Sequence, residues 1–244
     1  MKNDLLLHSS SRVHGGGYLA HAMEAIDEFL AGRKTLHFVP YAIQDRDEYT
    51  RSVQEGLVGL GVKVVGIHEK GDPRRAVEDA EVLFVGGGNS FRLVKAVREF
   101  GLIEPVRRRV AAGELSYMGS SAGTNMACPT IRTTNDMPIV QPDSFDAFNL
   151  IPFQINPHYV DADPTSTHMG ETRMDRIREF LEENDVAVLG MREGAWLRER
   201  GADLHLGGPN GALLFRRALD PEPFEPGADL SFLLGLQPRF DHPG

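Results

Sequence analysis

The sequence predicts an α/β fold, a three-layer sandwich in which a mostly parallel central sheet is flanked by helices, with antiparallel strands added near the C-terminus. Short apolar runs alternate with segments of helical period through the first two-thirds of the 244 residues. The connections between them are short, which favours parallel strands joined by crossover helices. Hydrophobic residues make up 41% and charged residues 25% of the chain, as in an ordinary globular protein.

The predicted strands of the first part are short apolar or β-branched runs that end at Ser, Pro or Gly. They are Leu5–Leu7, Thr35–Val39, Lys63–Ile67, Val82–Val85 and Leu115–Met118. Between them, apolar residues recur at helical spacing, and Asp72-Pro73 is a typical helix start. Helices are expected before Gly32 and Gly59, and over Ser90–Phe100 and Leu102–Ala112. In such a sheet, ligands bind at the carboxyl ends of the strands.

The pattern in the last third of the sequence predicts a different organisation. A helix is expected over Glu171–Glu183 and a strand over Val186–Leu189, followed by a hairpin around Glu199–Asp203. This pattern indicates antiparallel strands appended to the main sheet. Because no low-complexity linker divides the chain, we expect a single domain over residues 1–244.

Composition excludes several classes of function. The 26 basic and 35 acidic residues give a net charge of −9, which disfavours a nucleic-acid partner. The single cysteine, Cys128, excludes an intramolecular disulfide and a multi-cysteine zinc site. No apolar run reaches the roughly 20 residues of a membrane helix, and no secretory signal pattern opens the chain. We therefore expect a cytoplasmic protein with no membrane partner.

The pattern Gly119-Ser120-Ser121-Ala122-Gly123 follows a predicted strand and precedes an apolar stretch. In a nucleophile elbow of the G-x-S-x-G type, a sharp turn exposes the central serine, and the glycines relieve the crowding of the strained backbone. This spacing favours Ser121 over Ser120 as a nucleophile, with the Ala122 N–H as an oxyanion donor. The alternative is that these residues form an ordinary Gly/Ser turn between a strand and a helix, without a catalytic role.

A second glycine-rich turn, Gly86-Gly87-Gly88-Asn89-Ser90, ends another predicted strand. Its backbone N–H groups could face a small anion, so Gly88 is a candidate for the second oxyanion donor. The alternative is a tight turn whose helix is capped by Asn89 or Ser90. The spacing matches neither a dinucleotide-binding nor a P-loop pattern.

A serine nucleophile needs a base, and the base needs an acid that orients it. His158 is the leading base, because it ends an apolar segment and follows Pro157, which suits a positioned loop residue. His205 reads as a sheet-face residue and His168 as a helix-cap or substrate contact. Two acids compete to orient the base, Glu193 after a predicted strand and Asp136 in a polar turn.

Two other arrangements would use some of the same residues. A metal site could use Asp161, Asp163 and His158, but no metalloprotease or EF-hand spacing is present. An α/β-hydrolase order of serine, acid and histidine would need Ser121, Asp185 and His205, and it would put the base inside a strand.

Six blocks in order along nearly the whole chain resemble the peptidase E family of α-aspartyl dipeptidases. The blocks are Phe84–Phe91, Gly119–Asn125, Thr130–Pro138, Asn156–His158, Gly170–Arg173 and Leu206–Asn210. The resemblance implies a sheet similar to that of class I glutamine amidotransferases. It also implies a serine peptidase that cleaves dipeptides with an N-terminal aspartate and requires no cofactor.

By this resemblance Ser121 is the nucleophile, His158 the base and Glu193 the third member of the triad, while Asp136 matches another acid assigned to the same relay. The chain has Arg192 where the family often has proline before this glutamate. An aspartyl side chain requires a cation, and a guanidinium can grip a carboxylate with two hydrogen bonds.

Arg173 is therefore the expected substrate anchor, with Arg132 as a weaker candidate and Asn89 as a further substrate-binding residue. We expect a small dipeptide as the partner, a possible homodimer, and movement of the polar segment Asp161–Met169 beside the base. The open alternatives are another serine hydrolase, such as an esterase, and a non-catalytic binder of small acidic metabolites.

Overall fold

The computed structural model describes residues 3–162 and 170–241, in which strands and α-helices alternate along the first half and strands predominate after residue 183. The strands are β1 (Asp4–His8), β2 (Thr35–Val39), β3 (Lys63–Gly66), β4 (Val82–Val85), β5 (Ser116–Ser120), β6 (Gln154–Tyr159), β7 (Asn184–Asp185), β8 (Val188–Arg192), β9 (Trp196–Arg200), β10 (Asp203–Gly207), β11 (Ala212–Phe215), β12 (Glu222–Phe224) and β13 (Arg239–Phe240). The helices are α1 (Met23–Leu30), α2 (Arg46–Gly56), α3 (Pro73–Asp79), α4 (Ser90–Glu99), α5 (Ile103–Ala112), α6 (Ala122–Ala127) and α7 (Arg173–Glu183).

The main sheet has the strand order β10-β9-β1-β5-β4-β2-β3. Its last five strands are parallel, whereas β9 pairs antiparallel with both β1 and β10. Alternate residues face opposite sides, so Leu5 and Leu7 pack with α3 to α6, while Leu6 packs with α1 and α2. The predicted α/β fold with flanking helices and added antiparallel strands is confirmed.

A separate second sheet, with the order β12-β11-β8-β6, was not predicted. Strands β6 and β8 pair in parallel, and β11 and β12 continue the sheet in antiparallel pairs. One face packs into the main core through Ile155, Leu189 and Met191, and the other carries α7. The predicted single central sheet is therefore incomplete, because the strands around His158 and Glu193 pair with each other.

Two expectations about the site residues change with this sheet. His158 was expected in a loop, but it lies in β6, where the pairing with β8 is irregular between Asn156 and Tyr159. Pro157 explains the irregularity, because it has no N–H to donate to the ladder. Glu193 was expected at the edge of the main sheet, and it instead follows directly after β8 of the second sheet.

Helix starts follow local signals in the sequence. The side chain of Asp72 caps α3, and that of Asn89 caps α4 by accepting the Arg92 N–H at 3.0 Å. Helix α7 starts two residues later than predicted, because Thr172 and Asp175 form a reciprocal capping box.

Some predictions concern residues outside the described ranges. Asp163, His168 and most of the segment predicted to move, Asp161–Met169, lie there. Within residues 3–162 and 170–241, none of the helices has the length and hydropathy of a membrane span.

Candidate active site

Ser121 stands at a sharp turn between β5 and α6. Its backbone angles are φ 52° and ψ −110°, a region that L-residues rarely occupy. The turn requires glycine at its flank, because a Cβ on Gly123 would lie 1.9 Å from the carbonyl oxygen of Val85. Strain of this kind persists only where the surrounding structure enforces it, and it exposes the Ser121 side chain at the carboxyl end of the main sheet.

His158 connects the two sheets across the site. Its Nε2 lies 2.9 Å from Ser121 Oγ, and its Nδ1 lies 3.1 Å from Glu193 Oε1. Since a carboxylate only accepts, Nδ1 carries the proton, which leaves the Nε2 lone pair facing the Ser121 hydroxyl. The three side chains therefore form an unbroken hydrogen-bonded chain.

The loop that presents Glu193 is held by several backbone contacts. Asn210 Nδ2 donates to the Glu193 carbonyl oxygen at 2.7 Å. Gly194 has φ +82°, and a Cβ there would lie 2.8 Å from Pro209. The Leu206–Asn210 block thus supports the backbone beside the acid, while the Glu193 carboxylate itself stays about half exposed.

The glycine-rich turn after β4 lies against Ser121. A Cβ on Gly87 would approach Ser121 Cβ at 3.1 Å, and Gly88 has φ +129°, which glycine alone tolerates well. The Gly87 N–H donates a hydrogen bond to the Tyr49 hydroxyl oxygen. The N–H groups of Gly88 and Ala122 contact no acceptor in the described part of the chain, which leaves both free to bind an oxyanion.

Asp136 forms no hydrogen bond or ion pair with His158 in the described structure. Its Oδ2 accepts the Ser90 N–H at 2.7 Å and the Thr134 hydroxyl at 3.1 Å. The neighbouring Asn135 donates to the carbonyl oxygen of Pro157 at 2.7 Å. Of the two competing acids, the structure therefore brings Glu193 to the base, while Asp136 joins the start of α4 to the polar turn beside β6.

Arg173 is the first residue of α7 and is half-buried. Burial lowers the pKa of its guanidinium; Arg176 adds to the decrease and Asp136 opposes it. An arginine remains charged despite such a shift. Arg173 forms no hydrogen bond or ion pair with any described residue, so a partly desolvated cation lies near Asp136.

The other two predicted substrate residues are engaged in the protein. The Arg132 guanidinium lies over the Phe240 ring at 5.4 Å, and Arg132 borders a cavity of about 710 Å³ with Phe91 and Phe145. Asn89 donates from Nδ2 to the Met137 carbonyl oxygen at 2.9 Å, in addition to capping α4. Asn89 and Arg132 are thus already in contact with the protein, whereas Arg173 bonds to no described residue.

The rival catalytic sets are not assembled. His205 lies exposed on the edge strand β10, and Asp185 pairs with Arg239 Nη2 at 2.6 Å. Asp161 forms a two-bond ion pair with Arg192 at 2.7 and 3.0 Å. Among the residues described, no three His, Cys, Asp or Glu side chains are grouped closely enough to hold a metal ion.

Sequence reasoning missed Ser9 and Ser10, two buried serines that follow β1. Ser9 Oγ accepts the His158 N–H at 2.9 Å, and Ser10 Oγ accepts the Gly194 N–H at 3.0 Å. The available signal was their position, because a Ser-rich turn at the carboxyl end of a parallel strand lies at the edge where ligands bind.

Comparison with known proteins agrees with this geometry. The sequence profile of peptidase family S51 matches residues 5–207. Peptidase E of Streptomyces coelicolor is 55% identical over 238 residues, which cover 98% of each chain. A probable alpha-aspartyl dipeptidase of Drosophila melanogaster is 47% identical and covers 95% of this chain and 97% of its own. Peptidase E of Salmonella typhimurium is 48% identical over 92% of this chain and 98% of its own.

Two solved structures share the fold. A putative peptidase E from Listeria monocytogenes has a TM-score of 0.64 and 24% identity, covering 84% of this chain and 98% of that one. A peptidase from an acI-B1 Actinobacterium has a TM-score of 0.65 and 18% identity, covering 95% of this chain and 98% of that one. With the profile match over most of the sequence and relatives near 50% identity, the chain belongs to peptidase family S51.

Proposed function

We propose that this protein is a serine dipeptidase that hydrolyses Asp-X dipeptides through an acyl-enzyme on Ser121. The observation that carries the proposal is the hydrogen-bonded chain from Ser121 through His158 to Glu193, at 2.9 and 3.1 Å. A serine hydroxyl becomes a useful nucleophile when an oriented base lies within such reach. The name of the Drosophila relative, a probable alpha-aspartyl dipeptidase, supports the substrate class.

Acylation begins as Ser121 Oγ attacks the carbonyl carbon of the aspartyl residue while His158 Nε2 takes the hydroxyl proton. The carbonyl π electrons move to oxygen, and the N–H groups of Gly88 and Ala122 bind that oxyanion, each contributing roughly 3 kcal/mol. Glu193 holds the imidazole orientation and stabilises the imidazolium that forms.

Collapse of the tetrahedral intermediate breaks the C–N bond, and His158 Nε2 gives its proton to the leaving amine. The product is residue X with a free amine, and aspartate remains as an ester on Ser121. Water then attacks this ester with His158 again acting as base, and Ser121 Oγ leaves with the proton. Free aspartate is released, and the enzyme returns to its starting state.

Substrate recognition follows from charge. The side-chain carboxylate of the substrate aspartate needs a cation, and the Arg173 guanidinium is partly desolvated and bonds to none of the residues that the structure describes. The substrate α-ammonium needs an acceptor, and Asp136 is a carboxylate at the start of α4 that interacts electrostatically with Arg173. A requirement for a free amine restricts the enzyme to the N-terminal residue, and Asn89 and Arg132 are further candidates for contact with the dipeptide.

The proposal is tested by measuring aspartate release from Asp-Leu, beside Leu-Asp, Glu-Leu and N-acetyl-Asp-Leu. We expect cleavage of Asp-Leu alone and its loss in Ser121→Ala. The matched control is Ser120→Ala, because the Ser120 hydroxyl is buried and has no hydrogen-bond partner in the described structure. Retained activity in Ser120→Ala, with loss in Ser121→Ala, would identify the nucleophile.

Labelling with a fluorophosphonate distinguishes the other functions. A protein that labels on Ser121 but cleaves none of the dipeptides would be a serine hydrolase acting on another acyl substrate. A folded protein that neither labels nor cleaves would be a binder. We also propose a cytoplasmic enzyme without nucleic-acid or membrane partners, and a homodimer, which fractionation and light scattering would test.

A further inference from the structure

Three consecutive residues, His8, Ser9 and Ser10, connect the backbones of all three members of the proposed triad. We call this segment the β1 end. His8 closes β1 in the main sheet, and the two serines follow it. All three residues are almost fully buried.

The first connection is to the nucleophile. The carbonyl oxygen of His8 accepts the Ser121 N–H at 3.0 Å and the Thr124 hydroxyl at 2.7 Å. These bonds hold the turn in which Ser121 has positive φ. Because β1 and β5 are parallel neighbours in the sheet, the residues that follow β1 lie beside the turn at Ser121.

The second connection is to the base. Ser9 Oγ accepts the His158 N–H at 2.9 Å and donates to the Met191 carbonyl oxygen at 2.8 Å. His158 has φ 53°, which is unfavourable for a residue with a side chain, and it lies where β6 loses regular pairing with β8. The Ser9 hydroxyl therefore supplies the hydrogen-bond acceptor that the His158 N–H lacks where the pairing of β6 is irregular.

The third connection is to the acid. Ser10 Oγ accepts the Gly194 N–H at 3.0 Å, directly after Glu193. The Ser9 N–H also donates to the Ala195 carbonyl oxygen at 2.9 Å. Ser121 follows a strand of the main sheet, whereas His158 and Glu193 belong to the second sheet. The distance between Ser121 Oγ and His158 Nε2 therefore depends on how the two sheets are joined.

We propose that Ser9 and Ser10 are positioning residues that hold His158 and Glu193 of the second sheet in register with Ser121 of the main sheet. They touch neither substrate nor reacting atoms. The Ser9 hydroxyl aligns the base, and the Ser10 hydroxyl aligns the peptide bond after the acid. This inference rests on the proposed function for the roles of the triad residues.

The test compares Ser9→Ala with wild type for Asp-Leu hydrolysis and for the rate of fluorophosphonate labelling of Ser121. A misplacement of the base by a fraction of an ångström to 1 Å lowers turnover, so we expect kcat to fall about 10- to 100-fold. KM should stay within about twofold, because the groups proposed to bind substrate are untouched. The labelling rate should fall by a similar factor, and Ser9→Thr, which keeps the hydroxyl, should recover most of kcat.

The matched control is Ser116→Ala. Ser116 is also a buried serine whose hydroxyl is hydrogen-bonded, to Asp4 Oδ2 at 2.6 Å, but it lies at the opposite end of β5 from Ser121. We expect Ser116→Ala to lower the melting temperature without lowering kcat. Equal losses of kcat in Ser9→Ala and Ser116→Ala, or an unchanged kcat in Ser9→Ala, would overturn the proposal.

If Ser9→Ala does not fold, a second variant still tests the proposal. Ser10→Ala should lower kcat and the labelling rate about 10-fold, and an unchanged value of both would again overturn the proposal. The labelling readout separates this inference from the proposed substrate. If wild type labels on Ser121 but does not cleave Asp-Leu, the substrate assignment fails while the labelling comparison still tests Ser9 and Ser10.

Discussion

Glu199 is a buried carboxyl group whose ionisation opposes folding. It lies in β9 between Leu5 of β1 and Leu204 of β10, and its side chain is 2% exposed. Burial raises the pKa of Glu199 from 4.5 to about 7, although a hydrogen bond with the Asn3 side chain opposes the shift. One carboxyl oxygen has no hydrogen-bond partner in the described structure.

The perturbation is Glu199→Gln, which replaces the carboxyl group by a neutral group of the same shape. A folded-state pKa above the unfolded value favours the protonated form in the fold, so this contribution to stability is complete below pH 4.5 and is lost as pH rises through about 7. A rise in the pKa from 4.5 to about 7 corresponds to up to about 3 kcal/mol. The Gln variant escapes this loss, so it should match wild type near pH 4.5 and exceed it by up to about 3 kcal/mol at pH 8.

Thermal and urea unfolding of both proteins from pH 4.5 to 8 would measure the difference. For a chain of this size, the expected gain at pH 8 is about 6–12 °C in melting temperature. The control is Glu55→Gln, the same substitution at a glutamate that lies exposed on α2. A Glu199→Gln difference that does not change with pH would refute the assignment of a protonated carboxyl in the fold.

Three further predictions concern the site. Glu193→Gln should lower kcat for Asp-Leu by about 100- to 10,000-fold with little change in KM, because the amide no longer fixes the imidazole tautomer, and an unchanged kcat would remove Glu193 from the relay. Gly123→Ala should yield little folded protein by circular dichroism, since its Cβ would lie 1.9 Å from the Val85 carbonyl oxygen, and a stable variant would contradict the packing of the elbow. Arg173→Met should lower kcat/KM for Asp-Leu roughly 10- to 150-fold, the loss expected for a charged hydrogen bond of about 1.5–3 kcal/mol, without lowering the fluorophosphonate labelling of Ser121.

The main sheet and the elbow could be predicted from the sequence because their signals are local. The strand Val82–Val85 was predicted with its observed bounds, since a run of four apolar residues ends at three glycines. The turn at Ser121 followed from glycines two residues away on either side. Such patterns reflect steric limits on neighbouring residues, which any fold must satisfy.

The strand context of His158 could not be predicted in the same way. Pro157 indicated a loop, yet Gln154–Tyr159 forms β6, because β8 supplies a partner more than thirty residues later in the chain. Position inside a strand, which disfavours His205 as a base in the sequence, does not distinguish it from His158, because both residues lie in strands.

The sequence by itself determined the α/β class, the glycine-flanked turn at Ser121 and the candidate residue types, because these depend on periodicity and local backbone limits. Only the tertiary structure decided that His158 and Glu193 belong to a second sheet, that Glu193 rather than Asp136 contacts the base, and that Ser9 and Ser10 join both to the main sheet. These contacts link residues 35 to 184 positions apart. Hydrogen bonds of that range depend on how sheets pack, and no local pattern in the chain records them.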